Sequence, residues 1–235
     1  MDTLRSGQYL AGTLGRWLTV RGQYHKAVWG TPGGGSPPAC AVQTTFSTTS
    51  AIYEVENPLP LGGGNVYIIP HFVKLLVTAA DSTATDFHFS GVLDPKLRFS
   101  SGGFQPISPE FGPVNVLNMN QPGVMPAAAW HFGPVVLNAA GTNRLLMARG
   151  QIKHVAAAPL CSVGDEFLFT YTGGDGITSG SIVGAATTPA RYRADLGFVC
   201  VPPQSSHALL AWFPAITAGF TFEMEAGWWE VMGDP

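Results

Sequence analysis

Few residues in this chain are placed to do chemistry. Glu223 and Glu225 stand at i and i+2 within residues 220–231 (FTFEMEAGWWEV). On a strand, that spacing puts both carboxylates on one face. Such a pair can hold a cation, act as a glycosidase pair, or meet a basic segment of a neighbouring chain. Asp165-Glu166 is a second acidic pair, and Asp175 sits in the turn Gly173-Gly174-Asp175-Gly176. The six histidines, at 25, 71, 88, 131, 154 and 207, occur singly. None forms the His-x-His or His-x-x-x-His spacing that aims two imidazoles at one metal from a strand or helix. No phosphate-binding Gly-x-x-x-x-Gly-Lys-Ser/Thr loop is present, and Gly180-Ser181-Ile182-Val183-Gly184 lacks the spacing of a nucleophile elbow. Cys40, Cys161 and Cys200 are far apart and odd in number, so free, buried thiols from a reducing compartment are expected. These patterns predict no catalysis, no metal and no cofactor.

The aromatic residues point elsewhere. Trp212-Phe213 and Trp228-Trp229 lie near the end of the chain. Neighbours on a strand face opposite ways, so one of Trp228 and Trp229 is expected outside. An outward Trp suits a subunit contact, because large aromatics dominate interface energetics. A sugar-stacking platform is the competing use. Charge favours the contact. Only 11% of residues are charged, against about a quarter in ordinary domains, and so sparse a charge invites association. Residues 1–26 carry Arg5, Arg16, Arg21 and Lys26 against Asp2 alone. That balance of +3 leaves −6 for the rest of a chain whose net charge is −3. Four cations support at most weak contact with a genome. The candidate contact residues are therefore Arg5, Arg16, Trp17, Arg21, Trp29, Trp212, Trp228 and Trp229. Glu223 and Glu225 are candidates for a cation or a basic arm.

Two regions must position these residues. Residues 1–38 are rich in Gly and close on Gly33-Gly34-Gly35-Ser36-Pro37-Pro38, the composition of an extended arm. Extended, such an arm reaches on the order of 120 Å. It either crosses to a neighbouring subunit or packs on its own domain through Trp17, Leu18, Val20, Tyr24, Val28 and Trp29. Its start, Met1-Asp2-Thr3-Leu4-Arg5, has no apolar core of a secretory signal, and no uncharged apolar run is long enough to span a membrane. Residues 39–235 read as one domain of about eight to ten strands without a helix of three turns. Strand signals lie at 42–46, 51–56, 65–80, 86–93, 96–100, 130–137, 167–172, 196–201, 208–213 and 220–231; residues 144–155 favour a strand over a short helix through Gly150 and the β-branched residues after it. Asp94-Pro95 is read as the turn of a hairpin joining 86–93 to 96–100, and 101–129 as a long loop. The pattern predicts an all-β sandwich or barrel.

Three stretches resemble the single jelly-roll capsid proteins of small icosahedral viruses, including bacteriophages. They are residues 67–78 (YIIPHFVKLLVT), residues 87–101 with their turn to Ser100-Ser101-Gly102-Gly103, and residues 208–231. The likeness is one of pattern and covers roughly residues 40–232. It implies an all-β single jelly-roll β-sandwich of about eight main strands with an extended N-terminal arm. It implies a homo-oligomer of high order, assembled through the arm, the long loops (101–129 and 172–190) and the Trp-rich last strand. Its partners would be copies of itself and other capsid proteins, with weak or no direct genome contact and no membrane span. The protein would reside in the virion after synthesis in the host cytoplasm. The chain departs from many such shells in lacking a strongly basic arm, which leaves room for a minor or decorating role. A carbohydrate-binding module or lectin-like spike protein is the alternative.

Overall fold

The computed structural model describes residues 24–29, 43–61, 66–79, 86–105, 114–115, 126–152, 162–171, 191–214 and 221–232. Twelve strands run along the chain: β1 (Tyr24–Trp29), β2 (Ser50–Asn57), β3 (Val66–Ala79), β4 (Phe87–Asp94), β5 (Phe99–Phe104), β6 (Val114–Asn115), β7 (Ala129–Leu137), β8 (Leu145–Ile152), β9 (Glu166–Thr170), β10 (Arg191–Asp195), β11 (Ser205–Trp212) and β12 (Thr221–Met232). Among the described residues there is no helix, so none is long and apolar enough to cross a membrane. The strands form two six-stranded sheets. Sheet A has the order β10-β9-β3-β12-β1-β6, and sheet B the order β5-β7-β2-β11-β4-β8.

Alternation in the sequence accounts for the layering. In β12, Phe222, Met224, Ala226 and Trp228 are buried, while Glu223, Glu225 and Trp229 are only partly covered. In β3, Val73, Leu75 and Val77 point inward and Lys74 and Leu76 outward. The inner faces of the two sheets meet in one large core. Phe87 of sheet B stacks on Phe213 with centroids 4.7 Å apart and meets Phe167 of sheet A edge-on at 5.2 Å. Trp130 of sheet B leans on Trp228 of sheet A at 5.4 Å. Edge-to-face and offset rings of this kind add to the area they bury.

Two glycines make room for this packing. Gly133 in β7 has φ +94°, and a Cβ there would overlap the Trp29 indole. A Cβ at Gly227 would run into the Tyr24 hydroxyl and the Phe72 ring. At the same place β3 and β12 slip register, with Gly227 opposite Phe72 and Trp228 opposite Pro70. The extra residue is His71. A β-bulge of this sort absorbs Pro70, which has no ladder donor.

The structure changes several sequence-based expectations. Tyr24–Trp29, assigned by composition to the arm, pairs antiparallel with β12 of the same chain across its whole length. The 38/39 boundary itself lies outside the described residues, as do the loop 172–190 and Cys40 and Cys161. Residues 43–46 are not a strand; the Gln43 carbonyl accepts a hydrogen bond from Phe213 N at 2.7 Å. The predicted hairpin at Asp94-Pro95 does not form. β4 pairs with β11 and β8, and β5 pairs with β7. Residues 196–201 are not a strand; they join sheet A through Leu196 N, which donates to Thr170 O at 2.8 Å, and through a bridge between Ile68 and Val201. The strand of that region is the earlier β10, parallel to β9. Within the expected loop 101–129, β5 runs on to Phe104 and β6 adds two residues beside β1.

Gly133→Ala tests the seating of Trp29. Strain at positive φ and overlap with the indole should together cost about 2–4 kcal/mol of unfolding free energy, read by urea denaturation. A loss below about 0.5 kcal/mol, the usual range for a neutral surface change, would place Trp29 elsewhere.

Candidate contact surfaces

The structure separates the candidate residues into interior and surface groups. Trp228 is fully buried, stacked on His25 at 5.6 Å, and its Nε1 donates to Glu230 Oε1 at 3.2 Å. Trp29 is buried against Phe104 and Gly133. Neither is open to a neighbouring subunit, which corrects the expectation for both. The reason is that β1 and β12 lie in one sheet and turn these indoles toward sheet B. Trp229 faces out, half-covered by Tyr24 at 5.3 Å and His71 at 4.5 Å. Tyr24 Oη and His71 Nδ1 share a hydrogen bond of 2.9 Å. Burial, with help from Glu225, pushes the Tyr24 hydroxyl up to about 12 and His71 below its ordinary value. Arg5, Arg16, Trp17 and Arg21 lie outside the described residues.

Glu225 meets basic side chains of its own chain. Its carboxylate bridges Lys26 of β1 and Lys74 of β3, one on each oxygen. Burial opposes its ionisation, but the two ammonium groups still hold its pKa below the ordinary value. Glu223 shares the face but not the bridge. Among the described residues, no group of three His, Cys, Asp or Glu side chains comes together to hold a metal.

The outer face of sheet B carries residues that the sequence reading passed over. Glu54 and Glu56 have the same i, i+2 spacing as Glu223 and Glu225, yet both are buried. A strap between β4 and β5 covers them. Glu56 Oε1 accepts the backbone N–H groups of Arg98 and Phe99, each at 2.8 Å. The Arg98 guanidinium, itself buried, donates to the carbonyls of Asn138 and Thr48 and lies 3.7 Å from Asp94. His131 stacks on Phe99 at 3.7 Å, with Nε2 4.0 Å from Glu56 Oε2. Glu54 sits behind this network. Ser206 and the Arg98 backbone favour its charged form, but neither oxygen has a hydrogen bond of ordinary geometry. Burial, then the Glu56 charge, push its pKa up to about 8. Neutral at pH 7, Glu54 avoids the large cost of an unpaired buried charge. Periodicity alone could not reveal this, because the strap that covers the face is a tertiary contact.

Beyond the strap, the same face opens into a groove of about 340 Å³ beside β8. Val92, Leu146, Phe46 and Trp212 supply its apolar walls, with Arg144 and Arg149 at its rim. Trp212 is held by His88, stacked at 5.1 Å, and by the edge of Phe46 at 5.2 Å. Phe46 is 51% exposed, Leu145 57% and Leu146 61%. Trp212 thus borders this cavity beside exposed apolar side chains. The consecutive leucines at 145 and 146 were the available sequence signal. One must face outward on a strand, and a bulge at Gly91/Val92 exposes both.

Acidity should tune stability in both directions. Burial lowers His131 and His207 from 6.5 to about 4. The unfolded chain then binds more protons below pH 6.5, so stability falls on acidification toward pH 4. Glu54 rises from 4.5 to about 8. Here the folded chain holds the extra proton, so stability falls as pH rises toward 8. Unfolding free energy is therefore expected to peak near pH 6.5. Glu54→Gln should flatten the alkaline limb and be the more stable form at pH 8, by an amount on the order of a few kcal/mol. An unchanged limb in chemical denaturation from pH 5 to 9 would contradict the burial of Glu54. Compared with protein-family models, curated proteins and solved structures, the chain matches none.

Proposed function

We propose that this protein is a shell-forming structural subunit of a small icosahedral virus, such as a bacteriophage, folded as a single jelly roll. The observation that carries the reading is the strand order. With β5, β6, β7 and β10 set aside as additions, eight strands remain: β1, β2, β3, β4, β8, β9, β11 and β12. They pair as first with last (β1–β12), second with seventh (β2–β11), third with sixth (β3–β9) and fourth with fifth (β4–β8). That is the pattern of one long hairpin. β3 also pairs with β12 and β4 with β11, which supports reading the two sheets as those of a jelly roll.

Jelly rolls serve in viral shells, lectins and cupins, so the surface must decide between them. The low charge of the chain, the exposed Phe46, Leu145 and Leu146, and the open edge at β8 favour lateral association. The added strands support it as well, because β5 and β7 widen sheet B and β10 widens sheet A. The basic balance of residues 1–26 suits weak genome contact, though Lys26 is already held by Glu225.

The test is the native mass of purified protein by light scattering, with negative-stain images. Megadalton particles of uniform size are expected. A stable monomer or small ring that binds glycans would replace the shell reading with the lectin-like one.

A further inference from the structure

We propose that the groove beside β8 receives the outer face of sheet A from a second copy of this chain, with Arg144 and Arg149 meeting Glu223 and Glu166 of that copy. The inference rests on the assembly proposed above and names one of its contacts.

The sheet edges restrict where a neighbour can dock. β10 presents exposed Arg191 and Arg193 along its short length. β6 has two residues, and β5 slips register twice against β7. Charged side chains, short length and bulges all blunt an edge. β8 has a bulge and an exposed Arg149 of its own, but at eight residues it is the longest of the four edge strands, ends sheet B, and carries exposed Leu145 and Leu146.

Charge selects the occupant. Among the described residues, no carboxylate lies within ion-pair distance of Arg144 or Arg149. Arg144 is also close enough to Arg98 to disfavour its charge, a crowding that an incoming carboxylate would relieve. A basic segment such as 1–23, with Arg5, Arg16 and Arg21, is repelled from this site. Two β8 edges meeting across a two-fold axis would bring four guanidiniums together. The outer face of sheet A offers the complement. Glu166, Leu76 and Glu223 lie in one row across β9, β3 and β12. Val163, 66% exposed, stands in the turn before β9 at the same end of the sheet. Arg191 is the register partner of Glu166 and offsets part of its charge, so Glu223 is the stronger partner.

The two surfaces lie on opposite sides of the sandwich. Their contact is therefore head-to-tail, and successive copies close a ring or continue. Ring closure is what the symmetric clusters of an icosahedral shell require.

The test uses the full chain with Arg144→Glu/Arg149→Glu, with Glu166→Arg/Glu223→Arg, and with both pairs combined. Each double variant is expected to weaken association at least about ten-fold, since like charges across an interface cost several kcal/mol. An equimolar mixture of the two doubles should restore contact in alternating copies, and the quadruple variant should restore it outright. If wild type assembles and either folded double assembles equally well, or if neither combination restores contact, this interface is overturned while self-assembly stands. A monomeric wild type overturns both. Should a double variant fail to fold, Arg149→Gln and Glu223→Gln and the salt dependence of wild-type association take its place. Association indifferent to both would overturn the contact.

Discussion

Closure of sheet A around β12 is the constraint on which the rest of the structure depends. β12 lies between β1 and β3 and exchanges hydrogen bonds with both. Its partners come from near the opposite end of the chain, so the core cannot be sealed by local hairpins. Trp228 illustrates the dependence. It needs His25 of β1 beside it, Trp130 of sheet B above it, and the His71 bulge opposite it. Glu230 then accepts the N–H groups of Ala127 and Ala128 at 3.0 and 2.9 Å, tying the entrance of β7 to the same strand. Closing so long a loop costs little more in entropy than closing one half as long. It does make folding depend on non-local contacts, which form slowly.

The two outer faces meet water differently. On sheet A, the carboxylate of Glu225 sits between Lys26 and Lys74, so a central charge is satisfied within the chain. On sheet B, half the face is sealed by the strap that Glu56 holds, and the other half opens at the groove. Burying four ionisable groups under that strap, Glu54, Glu56, Asp94 and Arg98, is costly unless each is paired or neutral. Glu56 and Arg98 are tied to backbone groups, Asp94 accepts Gly141 N at 2.8 Å, and Glu54 keeps its proton. The strap therefore fixes where the solvent-facing part of sheet B begins, and with it the position of Arg144, Arg149 and Leu146.

Much of the layering was legible in the sequence. Residues 66–79 have the β-branched and aromatic content of a strand, residues 221–226 alternate, and the pair Trp228-Trp229 divides inside from outside as their adjacency requires. Pairing was not legible. Asp94-Pro95 has turn chemistry, but turn chemistry does not say which strands the flanks will join. Residues 24–29 alternate in burial but not in residue type (YHKAVW), and the surrounding glycines further hid a strand whose partner lies some two hundred residues away. The buried acids Glu54 and Glu56 gave no signal for a related reason. Glu54 and Glu223 have the same local pattern, and only the strap over one of them distinguishes a neutral buried carboxyl from a solvated one.

The most direct measurement is native-state hydrogen exchange of the β1 amides in the dissociated subunit at neutral pH. Membership of sheet A predicts that Lys26 and Val28 exchange as slowly as Val73 and Leu75 of β3, since all lie in one cooperative unit. Exchange of β1 at the rate of an unprotected peptide, with β3 still protected, would contradict it. The segment would then join a sheet only in the company of another subunit.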